Sequence, residues 1–153
     1  MVGVRSGRRR GVAAALLISA LLVQGAFASS AGAASPARDE MVSLTNTDRT
    51  ERDRDALALN GTLSRYAKRH SRDMAEAGYP FHTEDLAAKL KGLDWSIGGE
   101  NVGVGSSLDE LEQAFMKSKP HRRNILRRAF DHVAVGVFQD DDETYWVTVI
   151  FYG

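Results

Sequence analysis

The chain has no cysteine among its 153 residues, and that absence removes several chemistries together. Disulfide staples, thiolate metal ligands, a cysteine nucleophile and the thioether lipid anchor of bacterial lipoproteins are all excluded, so an exported form must hold its fold by packing alone. Proline is scarce as well, with three residues, and Pro80 and Pro120 each fall at the end of a periodic segment. No serine lies in a Gly-x-Ser-x-Gly elbow, the nucleophile text of many hydrolases. An excess of one charge is also lacking: 20 Lys and Arg face 20 Asp and Glu, which gives no electrostatic case for nucleic acid or an anionic membrane. What is present, 43% hydrophobic and 26% charged residues, is an ordinary globular composition with room for one domain.

The N-terminus stands apart from that domain. Arg5, Arg8, Arg9 and Arg10 precede a mostly apolar run from Val12 to Val23, followed by the small-residue texts Ala26-Phe27-Ala28 and Ala31-Gly32-Ala33. This order reads as a secretory signal peptide. The twelve-residue run reaches only about 18 Å as a helix, against a bilayer core of roughly 30 Å. Residues 1–34 are therefore expected to be a signal peptide and cleavage region, residues 35–153 the single domain, and the product a secreted monomer. With four basic and no acidic residues in the leader, the remainder carries 16 basic and 20 acidic residues, a formal charge of −4.

Helical spacing of Met41, Leu44, Thr45 and Asp48 predicts a helix over roughly 38–52. Leu63, Tyr66, Ala67, His70 and Met74 form one stripe of a second helix after Asn60-Gly61, ending at Gly78. Residues 83–91 suggest a short helix. Ser107 and Glu110 predict a capping box ahead of a helix from about 108 to 117, which Pro120 stops. Trp95–Val104 is a glycine-interrupted strand candidate, and His132–Phe138 and Thr144–Phe151 read as two strands joined by the acidic run 140–143. Helices first and strands last predict an α+β domain in which helices cover an antiparallel sheet. The last two strands are too close for a parallel crossover.

Three polar residues sit in turn-like settings between these segments: His82 in Pro80-Phe81-His82, Glu100 in Gly99-Glu100-Asn101-Val102, and His121 in Pro120-His121-Arg122. Together with Leu44-Thr45-Asn46, Arg49, His70-Ser71, Asp73-Met74, Ser118 to Leu126, Val135-Gly136-Val137 and Tyr145-Trp146-Val147-Thr148, their order resembles the CAP superfamily (cysteine-rich secretory proteins, antigen 5, pathogenesis-related 1), in particular its bacterial, cysteine-free branch. Lys119-Pro120 stands where Pro-Gly is usual in that branch, and Phe115 where tryptophan is common. The resemblance covers nearly all of residues 35–153. It implies a three-layer α-β-α sandwich with a central antiparallel sheet and a solvent-facing cleft lined by His82, Glu100 and His121. The family's second acid falls near Ser118, which has no carboxylate, and Glu84 or Asp85 is the substitute. Glu84, Asn101 and Ser118 complete the expected cleft.

Two readings of this set stay open. Neutral imidazoles of His82 and His121 ligate a divalent metal such as zinc while Glu100 acts as general base, making a metal-assisted hydrolase, a peptidase for example. Two histidines, however, are one ligand short of the usual three of a catalytic zinc site. In the second reading Glu100 accepts backbone N–H bonds and ties two loops together, with the histidines in its polar network. The cleft then serves an extracellular binding module, with no required cofactor, for a small ligand, lipid or protein partner. Relatives in the family include lipid and sterol binders and proteins with signalling or defence roles. A surface-exposed structural protein with no ligand is the plainest alternative. His70 is expected as a hydrogen-bonded core histidine, His132 at the surface, and Arg122, Arg123, Arg127 and Arg128 on the solvated side of a short helix.

Overall fold

Helix starts follow local chemistry along the chain. In the computed structural model, which describes residues 35–153, α1 (Pro36–Thr50) opens with a proline at its first turn, where the missing N–H costs nothing. The expected signal peptide lies outside the described residues. Met41, Thr45 and Arg49 recur every fourth residue and form the buried stripe of α1. After a two-residue strand β1 (Ala58–Leu59), the Asn60 side chain accepts from the Leu63 N–H and caps α2 (Gly61–Ala77). Gly78 ends that helix at φ +79°, a left-handed C-cap that a side chain would disfavour. Asp85 caps the short α3 (Leu86–Leu90). Strand β2 spans Gly98–Gly105.

Ser107 caps α4 (Leu108–Lys117) by accepting from the Glu110 N–H. The return half of the expected capping box is not made, since the Glu110 carboxylate bonds the Ser106 hydroxyl. Pro120 stops one helix and begins another: α5 (Lys119–Ile125) carries it in the first turn. Ser118 is the hinge between them, C-cap of α4 and N-cap of α5, with no side-chain capping bond. Arg127 and Arg128 lie beyond α5, so the basic run is split between helix and loop; Ile125 is buried as expected. β3 (His132–Gln139) and β4 (Tyr145–Tyr152) form the closing hairpin. Asp140 organises its connection, accepting from the Asp142 and Thr144 N–H groups and from the Trp146 indole at 2.8 Å.

The sheet runs in the order β1-β3-β4-β2. β3/β4 and β4/β2 pair antiparallel, as expected. The edge differs from an all-antiparallel sheet: β1 pairs parallel with β3 through Ala58↔His132 and Leu59↔Val133. Two residues carry too little alternation to be read as a strand.

Helices cover both faces. Ala134, Ile150 and Tyr152 meet Leu63 and Ala67 of α2 and Leu90 of α3, whereas Val133, Val135, Val147, Val149 and Phe151 meet α1, α4 and α5 through Met41, Leu111, Phe115 and Ile125. The result is an α-β-α sandwich whose sheet residues alternate between two cores. At Gly136 a Cβ would lie 2.0 Å from the Ala67 carbonyl carbon, so only glycine admits α2 this close to β3.

Candidate functional site

β2 is the edge strand opposite β1, and its alternation sends neighbouring residues into different layers. Glu100 pairs across the sheet with Ile150, whose side chain belongs to the α2 core, while Asn101 pairs with Val149 of the other core. Glu100 therefore faces the 80–85 loop, and Asn101 faces α5.

The Glu100 side chain is only 4% exposed, a costly position for a carboxylate without donors. It has three. Oε1 accepts from the Thr83 backbone N–H at 2.9 Å and meets His82 Nδ1 at 2.8 Å, while Oε2 accepts from the Thr83 hydroxyl at 2.6 Å. The Tyr66 hydroxyl lies 3.0 Å from Thr83 Oγ1 and donates to it, because the single Thr83 hydroxyl proton is used on Glu100. This is the loop-holding role. Glu100 fastens the Pro80–Asp85 connection to β2 through Thr83 and turns the His82 ring so that Nδ1 faces inward. The His82 side chain remains 60% exposed.

Asn101 fixes the other wall. It is fully buried, donates to the His121 carbonyl at 3.2 Å and accepts from Asn124 Nδ2 at 2.9 Å. Asn124 also donates to the Glu100 carbonyl at 3.1 Å, so two amides lash α5 to β2. His121 packs edge-on against Phe115 with ring centroids 5.0 Å apart. Burial, then the neighbouring His82 ring, hold its pKa below the ordinary histidine value, which favours the neutral imidazole.

The described residues thus bring His82 and Glu100 into direct contact, and Asn101, next to Glu100 on β2, holds the His121 backbone. Glu100 does not bridge the two histidines. Glu84 lines a cavity of about 300 Å³ with His70, Asp73 and His82, and Asp85 is occupied as the cap of α3. Ser118 supplies a backbone hinge rather than a polar side-chain contact. Among the described residues no group of three or more His, Asp or Glu side chains is placed to hold a metal ion. The donor set does not fit a three-ligand catalytic zinc centre.

Several residues at the site escaped sequence reasoning. Thr83 completes the Glu100 network but carries no pattern in the sequence, and Tyr66, which the α2 stripe marks only as a packing residue, backs it through its hydroxyl. Arg49, 1% exposed, donates to the carbonyls of Asp55, Ile125, Arg127 and Phe130 and so anchors the segment after α5; burial lowers its pKa. Its spacing with Met41 and Thr45 was the available signal. His70 is buried between Tyr66 and Phe81, but its Nε2 has no hydrogen-bond partner, unlike the bonded core histidine expected. Desolvation lowers its pKa. His132, half-exposed, stacks on Tyr152 at 4.8 Å.

The sequence profile of the cysteine-rich secretory protein family (CAP) matches residues 42–151. An uncharacterized Bacillus subtilis protein, YkwD, is 33% identical over 104 residues, covering 63% of this chain. The chain spans 40% of that protein's length. A Bacillus anthracis extracellular protein containing an SCP domain has a similar structure, with TM-score 0.64 and 26% identity over 75% of this chain and 39% of its own. A Borrelia burgdorferi outer surface protein shares the fold at TM-score 0.66 and 18% identity, with 74% and 90% of the two chains covered.

Proposed function

Because the chain belongs to the cysteine-rich secretory protein (CAP) family, we propose that it works outside the cell as a ligand-, lipid- or partner-binding module whose recognition surface is the cleft framed by His82 and His121. One observation carries this reading. Both oxygens of Glu100 are engaged by Thr83 and His82, which suits a carboxylate that shapes a binding wall and not one that takes a proton from water. The outward ring of His82, the neutral imidazole of His121 and the Phe115 ring behind it offer hydrogen-bonding edges beside an apolar surface, the mixture that orients a small or amphipathic ligand.

Export is supported by the basic, apolar and small-residue order of residues 5–33 and by similarity to an extracellular Bacillus protein. No helix among the described residues is long and apolar enough to cross a membrane.

The binding reading is tested by titrating the purified protein with cholesterol, palmitate or zinc, each alone, near pH 7.5, while following the imidazole resonances of His82 and His121. Saturable shifts with either lipid, lost in His121→Ala, are expected. Saturable zinc binding lost in both His82→Ala and His121→Ala, with peptide hydrolysis abolished by Glu100→Gln, would replace the binding reading with the hydrolase. Mass measurement of protein released by an expressing bacterium tests export; an intact N-terminus retained in the cell would overturn it.

A further inference from the structure

Among the described residues the opposite edge of the sheet is open, and the reason is topological. β1 fills the lane beside β3 only at His132 and Val133, after which Asn60 turns the chain away into α2. Ala58 and Asn60 donate to the carbonyls of Asp131 and Val133, and Val135 N–H donates to Ser64 Oγ. Odd-numbered backbone groups of β3 therefore point away from β4. By the same alternation the Val135 carbonyl, both backbone groups of Val137 and those of Gln139 face the empty lane. Outside the sheet's own ladder, no backbone hydrogen bond of Val137 is found among the described residues.

That lane is the floor of a groove between α1 and α2. A cavity of about 670 Å³ includes Val135 and Val137, and a second of about 300 Å³ continues past Val137 to Gln139, sharing Ser35, Lys68 and Val137 with the first. The α2 wall is basic. Arg65, Lys68 and Arg72 line these cavities at spacings of three and four, one face of the helix. All three are exposed, and none pairs with a carboxylate among the described residues. Arg38 on the α1 wall is already paired with Asp39 at 2.7 Å. Among the described residues no Asp or Glu lines either cavity.

We propose that this groove takes an extended peptide segment of a partner protein, added as a strand to the open edge of β3, with acidic side chains at alternate positions. The unpaired backbone groups supply the ladder. A strand in this lane turns every second side chain towards α2, where Arg65, Lys68 and Arg72 stand, and the others towards the face that carries Val135, Val137 and Ala37. Charge complementarity thus selects an acidic-apolar alternation rather than negative charge alone.

Binding of a fluorescein-labelled peptide of alternating Glu and Val, about six residues long to span the lane at ~3.3 Å per residue, tests this by fluorescence anisotropy on the purified protein. Saturable binding is expected, weakened about tenfold or more by the combined exposed-site changes Lys68→Glu and Arg72→Glu, with slowed amide exchange at Val137. The same composition arranged as a Glu block followed by a Val block, and a version N-methylated on the lane-facing amides, are each expected to bind about tenfold more weakly, since neither keeps both pattern and ladder. Equal binding of all three peptides, equal competition by polyphosphate without Val137 protection, or no saturable binding would each overturn the proposal. The peptide arms leave the protein unchanged, so they decide the matter even where a charge reversal disturbs folding.

Discussion

Glu100 and Glu112 are both buried, 8% and 3% exposed, yet the fold treats them in opposite ways. Glu100 is met by three donors from one loop. Glu112, on α4, has no hydrogen-bond partner for either oxygen. Burial and then Asp48 across the interface raise its pKa to about 8; Thr45 offsets this in part, although its own hydroxyl also lacks a partner in good geometry. A carboxyl group can be kept inside by hydrogen bonds to its ion or by keeping its proton. The first route fastens the 80–85 loop to β2. The second places a neutral acid on α4 facing Thr45 and Asp48 of α1. The helix ahead of His121 thus does carry an interior acid, but it serves helix packing.

The largest break in this comparison is Glu100→Leu. It strands the Thr83 N–H and hydroxyl and frees the 80–85 loop, a loss on the order of 3–5 kcal/mol in urea unfolding at pH 7, typical of breaking a buried charged network. The equivalent change Glu112→Leu is expected to stabilise at the same pH. If both lowered stability alike, the distinction between the two carboxylates would fail.

Comparable in size is a pH effect. The folded pKa of Glu112 lies above its ordinary 4.5, so between pH 4.5 and about 8 the unfolded chain is ionised while the folded one keeps its proton. Its contribution to stability is full below pH 4.5 and falls as pH rises to about 8, by on the order of 5 kcal/mol relative to Glu112→Leu. His70 and His121 act in the other direction. Their folded pKa values lie below 6.5, so they lose stability as pH falls below 6.5. Urea midpoints across pH 4–9 would separate the two: wild type declines above pH 6.5, and Glu112→Leu loses that decline and shows the histidine slope unmasked.

How far this was legible depends on the range of each interaction. The Ser107 and Asn60 caps and Gly78 act within four residues, and they locate α2 and α4 from sequence alone. β1 escaped because two residues make a strand only once β3 is beside them. The approach of His82 to Glu100, eighteen positions apart in the chain, is a tertiary fact; residue chemistry named both groups, and only family resemblance put them in one cleft. Thr83 had no signal at all, being a threonine in a loop. Glu112 did have one. Leu108, Leu111 and Phe115 mark the buried face of α4, and position 112 falls within that stripe. A charged residue at an apolar position was visible, but its protonation depends on what α1 offers opposite, and that is settled only by packing.

The smaller effects grade the donors around Glu100 itself. Thr83→Val removes the hydroxyl but keeps the backbone N–H, leaving Oε2 without its donor and the Tyr66 hydroxyl without its acceptor. A loss of about 1–2 kcal/mol follows from one charge-assisted bond. His82→Ala should cost least. Its ring is mostly in solvent, and both Thr83 bonds to Glu100 survive, so the urea midpoint should stay close to wild type. Loss of ligand-induced shifts at His121 in His82→Ala, with stability retained, would separate a histidine that serves the cleft from a threonine that holds the wall. A drop as large as that of Thr83→Val would instead make His82 part of the scaffold, and would move the weight of recognition to His121 and Phe115.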